Sequence, residues 1–156
     1  MEELDNKTYS EIKYLSAKGD SLVEQENFSL ALENYWRAFD LVPEPKTNWD
    51  TTTWILTAIG DANFLGCDFQ AGVDNLSNAM SCPGAIGNPF IHMRLGQCQF
   101  EIGNLDRAAD ELTRAYGLEG DEIFSNDDPK YLEFLKTRMD NNPPKKKSWW
   151  KGKNNS

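Results

Sequence analysis

Three glycines, Gly19, Gly60 and Gly96, head a recurring order of small and large positions along the chain. Twelve residues after each stands a small residue, Ala31, Gly72 and Ala108. Sixteen after each stands a large apolar one, Tyr35, Leu76 and Leu112, and nineteen after each an alanine, Ala38, Ala79 and Ala115. Four columns agreeing in three registers mark an internal repeat, which governs every other reading of the fold. The physical content is a pair of antiparallel helices, A and B, in each repeat. Small residues in the first two columns let the two backbones approach closely. The large residue and the last alanine then pack helix B against helix A of its own repeat and of the next. Asn27, Asp68 and Asn104 fall at equivalent places between the helices, and each residue type is a good N-cap for helix B.

The connections are longer than a minimal turn. Gly19 and Gly60 are 41 residues apart, and Gly60 and Gly96 are 36 apart. The stretch Glu44 to Asp50, with Pro43 and Pro45 around it, predicts a longer connection or an extra turn on the second A helix. Ser81-Cys82-Pro83-Gly84 through Asn88-Pro89 predicts the next connection, with Asn88 capping the third A helix and Pro89 at its first position. A last helix is expected after Asp128, with Pro129 at its first position and Tyr131, Phe134 and Leu135 covering the open end of the third repeat. Seven helices and no sheet follow. Residues 1–141 form the helical domain, and residues 142–156, which hold Lys145, Lys146, Lys147, Trp149, Trp150, Lys151 and Lys153, are expected to be a flexible basic tail.

This pattern resembles the tetratricopeptide repeat, a helix-turn-helix unit of about 34 residues. The likeness covers roughly residues 9–120. In the first repeat Leu15, Gly19, Leu22, Ala31, Tyr35, Ala38 and Pro43 stand where that family favours such residues. In the third, Leu95, Gly96, Ala108, Leu112 and Ala115 do. The second departs from the pattern at Gly72 and Asn63. The resemblance implies an all-α fold, a right-handed α-solenoid of three helical hairpins plus a C-terminal capping helix.

Charge narrows the choice of partner. Residues 1–141 hold all 25 acidic groups and 11 of the 16 basic ones, a balance of −14, while the last 15 residues carry +5. An acidic body repels phosphate, so nucleic acid is disfavoured for the folded part and a basic protein surface is favoured. No stretch approaches the roughly 20 apolar residues that cross a bilayer. The acidic start Met-Glu-Glu-Leu-Asp is unlike a secretory signal, so a cytoplasmic location is expected. The terminal lysines and tryptophans suit an anionic surface, a contact with the acidic body, or a purely solubilising end.

Catalytic chemistry finds little support, and no enzyme activity, cofactor or metal is expected. His92 is the single histidine, and its place inside an A helix favours packing over proton transfer. The strings G-x-x-x-x-G-K-[ST], G-x-S-x-G and H-E-x-x-H are absent from the sequence. Asp127-Asp128-Pro129 reads as a helix cap favoured by the positive helix end. Glu101 and the Asp110-Glu111 pair read as solvated helix faces. Cys67, Cys82 and Cys98 are odd in number and form no C-x-x-C pair, so they are expected to be reduced thiols filling gaps between helices.

In the tetratricopeptide family the A helices line a concave groove, and the resemblance implies a binding surface at matching positions. These are Lys13, Ser16, Asp20 and Val23 in repeat one, Trp54, Thr57, Asp61 and Phe64 in repeat two, and Phe90, Met93, Gln97 and Phe100 in repeat three. For Phe64 and Phe100, packing between helices is an equal alternative. Aromatic and Met side chains beside charge suit a protein-binding hot spot. Family members that grip a carboxylate tail usually place asparagine where this chain has Asp20, and Asp61 is the equivalent in repeat two. Carboxylates there favour a basic segment instead.

Over residues 25–136 the chain also resembles small bacterial tetratricopeptide proteins encoded beside interbacterial toxins. The segments concerned are Cys82-Pro83-Gly84, Gly87 to His92, Arg94 to Cys98, and Asp128 to Leu132. That resemblance implies an immunity protein, which binds a cognate toxin domain and occludes its active site. The alternative is a general scaffold or co-chaperone adaptor.

Overall fold

The computed structural model describes residues 3–141; the basic tail expected at 142–156 lies outside the described residues. Seven α-helices follow one another: α1 (Asn6–Glu24), α2 (Phe28–Leu41), α3 (Asp50–Leu65), α4 (Phe69–Ala79), α5 (Pro89–Glu101), α6 (Leu105–Glu119) and α7 (Lys130–Asn141). Two short 3-10 turns, Lys46–Asn48 and Gly120–Phe124, sit in the connections before α3 and after α6. No strand occurs among the described residues.

The chain forms three antiparallel hairpins, α1/α2, α3/α4 and α5/α6, stacked so that α2 meets α3 and α4 meets α5. The glycine columns explain the hairpins atom by atom. A methyl group on Gly19 would lie 2.5 Å from Tyr35 Cε1, and one on Gly96 would lie 2.7 Å from Leu112 Cγ. On Gly60 it would run into the Leu76 side chain. Each glycine therefore receives the large residue sixteen positions later in its own repeat, an approach that a Cβ would prevent. Gly72 does the same work between repeats, because Cys98 Sγ fills the place of its missing side chain. Ala31, Ala38, Ala79, Ala108 and Ala115 are all fully buried in these seams.

Helix starts follow the sequence closely. The Asn27 and Asp68 side chains accept from the amides of Leu30 and Ala71. Asn88 accepts from Phe90 and Ile91, with Pro89 in the first turn. Asn104 occupies the equivalent place before α6, but its side chain makes no capping bond. Asp128 Oδ1 accepts from the Lys130 amide at 2.9 Å, so α7 begins one residue later than the Pro129 start read from sequence. The Glu44–Asp50 stretch makes a separate 3-10 turn rather than an extra turn of α3. Lys46 holds it in place by donating to the carbonyls of Phe39 and Val42 at the end of α2.

The end helix covers the third repeat by an indirect route. After α6 the chain turns back along α5. Phe124, Tyr131 and Leu135 become buried together with Met93, Leu112 and Ala115. Burying each such side chain contributes about 1.5–3 kcal/mol. Three buried anchors are enough to hold this segment firmly against the repeat.

Candidate functional site

Arg94, in the middle of α5, organises one half of the face shared by the A helices. Its Nε donates to Asp61 Oδ1 of α3 at 2.7 Å. Its Nη1 donates to Gln97 Oε1 at 2.9 Å and to Asp127 Oδ1 at 3.3 Å. Gln97 in turn donates to Asp127 Oδ2 at 3.2 Å. The guanidinium lies over the ring of Phe64 at 4.2 Å and near that of Phe90 at 5.2 Å. A planar, always-charged fork suits this mixture of carboxylate and aromatic contacts better than an ammonium would.

A second set of contacts continues from this cluster. Tyr131 of α7 packs against Phe64 and Phe100, with ring centroids 6.1 and 5.4 Å apart, and Phe100 meets Phe134 at 5.1 Å. The Tyr131 hydroxyl donates to Glu101 Oε1 at 2.8 Å, and Lys130 Nζ pairs with the same oxygen at 2.5 Å. Glu101 is thus tied down by the end helix, which corrects its reading as a solvated face. Burial and the hydrogen bond to Glu101 both push the Tyr131 hydroxyl pKa well up.

The expected binding positions therefore divide into groups. Asp61, Phe64, Phe90 and Gln97 converge on Arg94, and Gln97 is fully buried. Met93 lies buried beneath Phe124, while Phe100 lies beside Tyr131. Lys13 and Asp20 are exposed on α1. Lys13 Nζ stands over the Tyr9 ring at 5.5 Å, and Asp20 accepts a 2.6 Å bond from the Tyr35 hydroxyl. Burial, then that bond, raises the Tyr35 pKa well above the ordinary tyrosine value. Of the remaining two α1 positions, Ser16 is buried and Val23 half-buried. Trp54 and Thr57 stand apart from the Arg94 cluster. Trp54 is 37% exposed, and the half-buried Thr57 returns its hydroxyl hydrogen to the Thr53 carbonyl at 2.7 Å.

The residues of chemical interest elsewhere are structural ties. His92 is buried, with Nδ1 2.6 Å from Glu111 Oε2. Its Nε2 accepts from the Gly87 amide at 2.9 Å, so the ring proton belongs on Nδ1 and faces Glu111. Glu111 is buried too, against its reading as a solvated position. The pair pins the connection before α5 to α6. Cys82 and Cys98 are buried free thiols, and burial pushes Cys98 up to about 12, far from reactivity. Cys67 is exposed at a left-handed backbone position (φ 63°), not packed between helices as expected. Among the described residues no three His, Cys, Asp or Glu side chains gather as a metal would need. No helix among the described residues is long and apolar enough to cross a membrane.

Solved structures with the same arrangement of hairpins decide the fold. The first TPR of Spaghetti (RPAP3), bound to the HSP90 peptide SRMEEVD, superposes with a TM-score of 0.65 at 17% identity, over 82% of this chain and 90% of that one. This chain has the tetratricopeptide-repeat (TPR) fold. The Arabidopsis OM64 TPR domain is similar at a TM-score of 0.65 and 18% identity, over 86% and 98% of the two chains. The first TPR domain of human RPAP3 matches at 0.64 and 18%, over 83% and 96%. No protein-family model matches the sequence, and no curated protein does.

Two features of this TPR fold escaped sequence reasoning. Arg94 belongs to no repeated column, and the sequence marked it only as the first residue of the Arg94 to Cys98 segment, with no binding or structural role. Asp127 was read as part of a cap, whereas only Asp128 caps α7 and Asp127 turns inward to Arg94 and Gln97. The outcome is a face in two halves. Around α5 it is covered by the chain's own Phe124–Leu135 segment; over α1 and the start of α3 it is open.

Proposed function

We propose that this chain acts by binding another protein, as an immunity protein that holds a cognate interbacterial toxin domain and occludes its active site. The observation that carries the reading is the charge of the TPR-fold body. The balance of −14 over residues 1–141 supports capture of a basic protein surface, and steering by such a field raises association rates. Likeness of Cys82-Pro83-Gly84, Gly87 to His92, Arg94 to Cys98 and Asp128 to Leu132 to small bacterial TPR proteins encoded beside toxins supports the finer assignment. Finding a toxin gene immediately upstream and co-expressing its toxin domain with this chain tests it. Protection of the cells and a complex that survives gel filtration are expected; continued killing with no complex would remove the proposal.

A general scaffold or co-chaperone adaptor that binds a basic peptide or protein segment is the second reading, favoured by the likeness to the RPAP3 domain bound to the peptide SRMEEVD. The exposed Asp20 and the acidic body argue against that particular peptide, whose own charges are mostly negative, while Asp61 is already paired with Arg94. Titration of the full chain with SRMEEVD separates the two readings. Immunity function predicts no measurable binding, whereas saturable binding through the A-helix face would favour the adaptor.

A further inference from the structure

The open half of the A-helix face contains a cavity of about 450 Å³, lined by Leu4, Tyr9, Trp49, Thr51 and Pro83 among others. A second cavity of about 370 Å³ adjoins it and includes Thr53, Trp54, Thr57 and Ile91. The two share Asp50 and Pro83 as a common wall and form one trough over the starts of α1 and α3.

Two of its lining residues are held in place by hydrogen bonds. The Trp49 indole donates to the Pro43 carbonyl at 2.9 Å, and the Thr53 hydroxyl donates to the Pro83 carbonyl at 2.7 Å. Aromatic surface nonetheless remains exposed, with Tyr9 at 41% and Trp54 at 37%. The charged residues lining the two cavities are Glu3 and Asp50, both carboxylates, and neither is ion-paired among the described residues. No lysine or arginine lines either cavity among the described residues. Below the trough, the Arg94–Asp61–Asp127 cluster and Tyr131 already occupy the face, so a ligand is confined to the upper half.

We propose that this trough is the docking site for a short segment of the partner protein that carries an arginine or lysine beside an aromatic or branched apolar side chain. The proposal rests on the reading that the chain binds a protein, and it narrows the contact to a site with Tyr9, Trp49 and Asp50 at its centre. Trp49 and Thr53, held by their hydrogen bonds, supply contact at little ordering cost, and the exposed carboxylates of Glu3 and Asp50, without an ion pair among the described residues, favour a cationic side chain.

Random-peptide phage display on the full chain supplies the probe. Enriched peptides are expected to carry net positive charge and an aromatic or aliphatic residue. Fluorescence anisotropy with the best labelled peptide should then show a loss of about tenfold or more in Trp54→Ala and in Glu3→Lys/Asp50→Lys, with melting temperatures close to that of the parent. Should a variant melt early, amide shifts of the isotope-labelled parent chain on adding peptide decide instead. Shifts gathered at Tyr9, Trp49, Thr51 and Trp54 support the site; shifts gathered on α6 and α7 overturn it. Acidic or charge-neutral enriched peptides, or equal affinity in both variants, overturn it as well. A dimer that Trp54→Ala dissolves would give the trough to a second copy. Binding of a synthetic peptide of residues 142–156, with no library peptide enriched, would give it to the chain's own end. Either result also overturns the proposal. A toxin complex that persists in both variants would remove this site and leave the partner-binding reading intact.

Discussion

Replacing Gly96 by alanine and Gly117 by alanine should change stability in opposite directions. Both glycines lie within helices, where alanine is intrinsically better by about 1 kcal/mol. At Gly117 a methyl would meet nothing within 4 Å, so Gly117→Ala should stabilise by about 0.5–1 kcal/mol. At Gly96 the same methyl would fall 2.7 and 2.8 Å from Leu112 Cγ and Cδ2, and 3.1 Å from the Leu112 amide nitrogen. The two nearest atoms belong to the Leu112 side chain, which is fully buried and has no open space to swing into, and the third is in the backbone of α6. Relief therefore requires the two helices to separate, and overpacking of this kind costs about 1–3 kcal/mol. After the propensity gain, Gly96→Ala should lose up to about 2 kcal/mol. For a chain of this size that is a fall in melting temperature of up to roughly 6 °C, against a rise of roughly 2–3 °C for Gly117→Ala. Thermal unfolding followed by circular dichroism at 222 nm, the helix band, reads both. A double-mutant cycle with Leu112→Ala should show coupling, because the truncated side chain leaves room for the methyl. If Gly96→Ala stabilises as Gly117→Ala does, the glycine columns are not close helix contacts and the repeat has been misread.

Other residues give further checks. Arg94→Ala would strand Asp61 and Asp127 and leave Gln97 without its donor, at a cost of about 2–4 kcal/mol once the partial exposure of the carboxylates is allowed for. Urea unfolding that shows a loss well below 1 kcal/mol would demote the cluster to a surface contact. His92→Ala should cost about 2–3 kcal/mol, since it leaves the buried Glu111 carboxylate and the Gly87 amide without a partner; an unchanged urea midpoint would remove its role as a tie. Alkaline pH should destabilise the fold. Tyr35 and Tyr131 have folded pKa values raised above the unfolded value near 10, so the folded state holds these protons more tightly. Their contribution is complete below pH about 10 and lost as pH rises beyond it. Tyr35→Phe should flatten that decline, and a melting temperature constant up to pH about 11 would contradict the assignment.

The fold was legible from sequence because its decisive contacts repeat at a fixed offset. Gly19 with Tyr35, Gly60 with Leu76 and Gly96 with Leu112 are all contacts within one hairpin, so helix geometry sets their spacing and the spacing recurs. The Arg94 cluster has no such regularity. Asp61 and Asp127 each lie 33 residues from Arg94, one in the preceding repeat and one beyond the last. Their meeting depends on the path the chain takes after α6, and no local pattern prescribes that path. The same path explains the misreading of Glu101, whose partners Lys130 and Tyr131 arrive with α7. Glu111 was misread for a related reason. Its neighbour in sequence, Asp110, is exposed, and only the return of α6 against α5 brings Glu111 to His92. The open trough was half visible. Trp54 and Thr57 fall on repeat positions, whereas Tyr9, Trp49 and Pro83 belong to helix starts and connections that carry no column.

Calorimetric titration of the full chain with the protein encoded beside its gene, at low and at high salt, bears on function most directly. A stoichiometric complex whose affinity falls as salt rises is predicted, because an acidic body meeting a basic surface is screened by added ions. No heat of binding, or an affinity indifferent to salt, would contradict it.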